Sequence, residues 1–105
     1  MTNSPKSPED CVSMTDVRVG VDALDQQLVA LLETRFGYMR AAARIKETRN
    51  AVRDEDRKAA VIRAASETAA AAGLPKEAIA DIWDRLVEAS IAYEMAEWDR
   101  IREMK

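Results

Sequence analysis

Two long cations fall on one side of a helical stretch. At about 100° per residue, Arg35, Met39, Ala42 and Lys46 lie within about 40° of a common stripe. Arg35 and Lys46 are three turns apart, about 16 Å along the axis, so their side chains could lean together and hold an anion. Arg18 lies seventeen residues before Arg35, which turns it by about 100° to another side. It suits a pocket on a partner chain better than one on its own. Farther on, Ser90 and Glu94 stand four apart behind Trp83, Leu86 and Val87, on or beside an apolar stripe. A buried Glu needs a partner or a proton. Arg53, Asp54, Asp56, Arg57 and Lys58 crowd a helix start, where cations and a positive helix end suit a carboxylate. Plainer readings stand beside these. Arg35 and Lys46 could pair with Glu33 or Glu47 at the surface. Ser90 could be a small residue at a helix crossing, Glu94 could reach water, and the Arg53–Lys58 run could be a solvated first turn.

The chain has no histidine, which excludes Ser-His and Cys-His catalysis and histidine metal sites. No metal or cofactor is expected. Chemistry must run on Arg, Lys, Asp, Glu, Ser or Tyr.

Three helices must position these groups. The first is expected from about Thr15 to Thr48, capped by Thr15 or Asp16, with Val17, Val21, Leu24, Leu28, Leu31, Leu32, Met39, Ala42 and Ile45 at spacings of three and four. The pattern breaks near Asn50. Asp54 is an N-cap candidate for the second helix, which Gly73 ends. Pro75 opens the third, which carries Ile79, Ile82, Trp83, Leu86, Val87, Ile91, Met95, Trp98 and Ile101. The fold class is therefore all-α. A first helix of roughly 34 residues is a rod of about 50 Å, against a radius of gyration of about 13 Å for a compact domain of this size. An apolar stripe that long is a partner surface, and a second copy is the simplest partner. A break at Gly37 is the alternative. The expectation is a three-helix chain in an intertwined homodimer.

Composition agrees. The 105 residues allow one domain; aromatics are 5%, charged residues 33%, and there are three Gly and three Pro. A net charge of -3 without a basic face argues against nucleic acid, and no apolar run is long enough for a membrane span. Cys11 is the single cysteine, so no intrachain disulfide forms and a cytoplasmic home is expected. Residues 1–14, polar and holding Pro5 and Pro8, read as a flexible lead before a domain over 15–105.

The order of these parts resembles the all-helical chorismate mutase family, which includes the isochorismate pyruvate lyases. The likeness runs from Pro8 to Trp98. The opening PEDCVSMTDVRVGVDALDQQLVALLETRFGYMRAAARIK is similar to the lyase branch, in its PEDC lead and its RFGYMRAAARIK segment. VRDEDRKAAVI and the Ser90–Glu94 spacing of SIAYEM are closer to the mutases. The resemblance implies an intertwined dimer in which Arg18 acts in the partner's site. It implies that Arg35 and Arg57 hold two substrate carboxylates, and that Lys46 donates to a carboxylate and to an ether oxygen. Asp54 would orient a ring hydroxyl, Ser90 would support the site, and Glu94 would meet the ether oxygen opposite Lys46. Lys46, Glu94 and Arg35 would be the catalytic groups. Two positions depart from the family pattern: many members have Gln where Glu94 stands, and bacterial-type mutases often have Glu where Lys58 stands. The implied activity is chorismate mutase, in the pathway to aromatic amino acids, on a small dianion and without cofactor. The alternatives are isochorismate pyruvate lyase, giving salicylate and pyruvate, and a non-catalytic helical dimerisation or metabolite-sensing module.

Overall fold

A computed structural model describes residues 4–103. The first three residues of the expected lead, and the last two of the expected domain, lie outside the described residues. The order is a 3-10 turn at Pro8–Asp10, α1 (Met14–Ile45), a second 3-10 turn at Arg49–Ala51, α2 (Glu55–Ala71) and α3 (Lys76–Glu103). There is no strand among the described residues, and the all-α class holds.

Each helix end has a local cause. Ser13, not Thr15 or Asp16, caps α1: its Oγ accepts the backbone N–H of Asp16 at 3.2 Å. Asp16 turns back to accept the N–H of Val12 at 3.1 Å and to pair with Lys6 at 3.2 Å. Those bonds hold the Asp16 carboxyl below the usual carboxylate range. The helix stops at Ile45, three residues short of the expected end. Asp54 caps α2 as expected, its Oδ1 accepting Arg57 N–H at 3.0 Å. Gly73, at φ 76°, closes α2 with Leu74 N–H on Ala69 O and its own N–H on Ala70 O; the left-handed conformation favours glycine there.

Two compact units divide between Arg35 and Phe36. In the first, none of the described residues is buried. Val17, Val21, Leu24, Leu28 and Leu31 stand exposed along α1, Leu31 at 67%. In the second, α2 and α3 pack as a hairpin. Val52, Val87 and Ile91 form its centre, with Val61, Ile62, Met95 and Trp98 against them. Ala43, near the end of α1, is fully buried. Phe36 meets the Tyr93 ring edge-on at 4.8 Å, and Arg40 Nη1 donates to the Tyr93 hydroxyl at 2.8 Å. No helix among the described residues is long and apolar enough to cross a membrane.

Candidate active site

The second unit brings Lys46, Ser90 and Glu94 together. Ser90 and Glu94 are both buried, Glu94 at 4% exposure, so Glu94 does not reach water. Ser90 Oγ donates to Leu86 O at 2.7 Å, one turn back, which places the hydroxyl against its own helix. Lys46 Nζ lies 2.7 Å from Glu94 Oε2, across 48 residues of chain. The contact is an ion pair in distance, but its angles are not those of a hydrogen bond. Oε2 is buried and has no hydrogen-bond partner among the described residues. The charge on Oε2 is met by the Lys46 ammonium, while the oxygen remains open to an incoming donor.

The start of α2 carries the other candidate cations. Its cations have separate fates. Arg53 is held by Glu88, with Nη1 and Nη2 at 3.0 and 2.7 Å, and by Glu55 at 2.9 Å. Lys58 is held by Glu88 at 2.7 Å and by Asp84 at 3.1 Å. Both cations are raised above their usual values by those bonds. Among the described residues the Arg57 side chain makes no ion pair, while its backbone is fixed by the Asp54 cap. It lines an open apolar groove of about 530 Å³ together with Val61, Ala64, Leu74, Ile79 and Trp83. The expected cationic cluster thus reduces to one available guanidinium. Lys58, where an acidic residue is usual in bacterial-type mutases, spends its charge on α3.

Arg18 and Arg35 lie on α1 in the first unit, Arg18 exposed and Arg35 half-buried. Periodicity did not single out the α3 partners of the connecting segment. Arg49 is held by Asp99 through two contacts, at 2.9 and 3.2 Å, and Arg53 by Glu88. The segment from Lys46 to Asp54 is therefore tied to α3 at two heights. The available signal was an Arg at each end of the segment facing an acid-bearing helix. No group of three or more potential ligands among His, Cys, Asp and Glu is placed to hold a metal among the described residues.

Glu88 is the hub of this tie. Its hydrogen bonds from Arg53, then Lys58, hold its carboxyl down from 4.5 to about 2. A carboxyl depressed by folding stabilises the folded state above its unfolded value, and that contribution fades as pH falls toward the folded value. Parent protein should melt higher than Glu88→Gln at neutral pH, and the gap should narrow between about pH 5 and pH 2. Thermal melts of both proteins across that range check this; a gap that stays constant on acidification would count against Glu88 as the hub.

Comparison with known proteins places the geometry in context. The family described as chorismate mutase type II matches residues 17–95, a span holding Arg18, Arg35, Lys46, Asp54, Arg57, Ser90 and Glu94. The isochorismate pyruvate lyase of Pseudomonas aeruginosa is 29% identical over 97 residues, covering 92% of this chain and 96% of that protein.

Proposed function

Since the chain belongs to the chorismate mutase type II family, we propose that it is a chorismate mutase, rearranging chorismate to prephenate. The observation that carries this reading is the buried Glu94 paired with the half-buried Lys46, with Ser90 one turn before Glu94, inside the matched span. The reaction is an intramolecular rearrangement of a dianion and needs no nucleophile. The enzyme must fold the substrate into its reactive shape, a matter of positioning. It must also stabilise negative charge growing on the ether oxygen as that bond breaks, which preplaced donors do well in a site shielded from water. Arg35 and Arg57 would hold the two carboxylates, each able to offer a forked pair of N–H groups. Lys46 would meet a carboxylate and the ether oxygen, with Glu94 on the oxygen's other side. Asp54 has one oxygen committed to its cap, and the other would orient the ring hydroxyl.

A second reading, isochorismate pyruvate lyase, is favoured by the name of the Pseudomonas relative. It breaks the same ether bond, releasing pyruvate and leaving salicylate, so one pocket suits either reaction. Turnover of chorismate and then isochorismate, with the products identified, separates the readings. Prephenate from chorismate supports the mutase. Salicylate from isochorismate alone supports the lyase. Inactivity on both leaves the non-catalytic module.

The working form we propose is a homodimer. The first unit buries none of its described residues, and α1, about 48 Å long, carries its apolar stripe uncovered. A second copy covers such a stripe by two-fold symmetry. Sedimentation should give a dimer at micromolar concentration, and the melting temperature should rise with protein concentration. A monomer whose melting is independent of concentration would overturn this.

A further inference from the structure

Lys46 is held at both ends by one stripe of α3. Ser90, Glu94, Trp98 and Arg102 follow at intervals of four, so they climb a single side of that helix. Glu94 meets the Lys46 ammonium at 2.7 Å. Trp98 Nε1 donates to the Lys46 backbone carbonyl at 3.1 Å, and Arg102 Nη2 donates to the same oxygen at 2.7 Å. Arg102 Nη1 also donates to Ala43 O at 3.1 Å and to Trp98 O at 3.3 Å. The guanidinium carbon sits 4.0 Å over the Trp98 ring, so the indole and the guanidinium brace each other as they converge on one oxygen. The Ala43 carbonyl belongs to the last turn of α1, and the Lys46 carbonyl follows just past the helix end, where carbonyls lack partners within the helix. A cation at that end is favourable in any protein. Here the capped residue also bears the ammonium of the candidate site, and the chain just beyond it leaves the helix.

We infer that Trp98 and Arg102 are positioning residues that set the Lys46 ammonium against Glu94 by gripping the Lys46 carbonyl from the far end of α3. The catalytic part of this inference rests on the reading of Lys46 as a group that meets the reacting ether oxygen; the grip itself does not. Neither residue need touch substrate. Loosening the grip lets the end of α1 fray and the ammonium wander, which costs transition-state contact more than substrate binding.

Two mild variants test it. Trp98→Phe keeps an aromatic ring and removes the indole donor. Arg102→Lys keeps the charge and removes the fork that spans two carbonyls. In each, amide exchange at Arg44, Ile45 and Lys46 should speed up about fivefold to tenfold, the loss of roughly one hydrogen bond, while α2 amides keep their protection. In each, kcat should fall by a similar factor with KM within about twofold. In a Lys46→Gln background the same changes should cost no further activity, because two steps acting through one group are not additive. Unchanged protection at Arg44–Lys46 in both variants overturns the grip. An undiminished loss of kcat in the Lys46→Gln background overturns action through Lys46. If the parent turns over neither chorismate nor isochorismate, the functional reading falls by itself, and the exchange measurement still decides whether the grip exists.

Discussion

Arg18→Ala and Arg35→Ala proteins, each nearly inactive alone, should regain activity when mixed. On the proposed reading each deletion removes a charged donor from a dianion, and loss of one such preplaced donor costs about two to three orders of magnitude in kcat. The two arginines sit on one helix but turned about 100° apart, and Arg18 is exposed on a unit in which none of the described residues is buried. If Arg18 serves the partner's site, the mixed dimer contains one site with both arginines and one with neither. After full exchange of equal amounts, half of the dimers are mixed, so about a quarter of all sites are whole. Recovery should approach that fraction of parent kcat, with parent KM in the recovered sites. The measurement is turnover before and after subunit exchange, with exchange verified by mass labelling of one partner. Verified exchange with no recovery would show that both arginines serve the same chain's site.

The second large effect concerns Glu94. On the proposed reading it meets an ether oxygen that gains negative charge and needs donors. A carboxylate accepts only, whereas an amide also donates. Glu94 Oε2 is buried, 2.7 Å from Lys46 Nζ, and lacks a hydrogen-bond partner among the described residues. Glu94→Gln keeps nearly the same shape and presents an N–H, so its kcat/KM should match or exceed the parent's. Glu94→Ala offers no donor and should lose about a hundredfold or more. Turnover of the three proteins under one set of conditions decides this. If Glu94→Gln loses as much as Glu94→Ala, Glu94 does not meet the ether oxygen.

The two results also bear on Lys58. An acceptor for the ring hydroxyl cannot come from an ammonium, and Lys58 is turned to Glu88 and Asp84 in any case. On the proposed reading Asp54 would accept that hydroxyl. Arg57, with its backbone fixed by Asp54 and its side chain without an ion pair among the described residues, would meet a carboxylate.

Much of this protein is written locally. Asp54 before Glu55 and Gly73 after Ala71 mark both ends of α2, because a cap and a left-handed glycine act on groups only a few residues away. The α1 stripe from Val17 to Leu31 can be read from spacing, since side-chain direction repeats every 3.6 residues in any helix. The ordered set Arg18, Arg35, Lys46, Asp54, Arg57, Ser90 and Glu94 stands out only through its likeness to a family. Periodicity assigns a residue to a side of its helix and is silent on what faces it. That Lys46 faces Glu94 rather than Glu47, that Glu88 gathers Arg53 and Lys58 and leaves Arg57 available, and that Trp98 and Arg102 close on the Lys46 carbonyl are contacts across 30 to 56 residues of chain. Such pairings depend on how α2, α3 and the end of α1 pack, where competing partners differ by about a kilocalorie per mole and burial decides among them. Local propensity set the helices and their ends; packing chose which of many similar charges would pair across the fold.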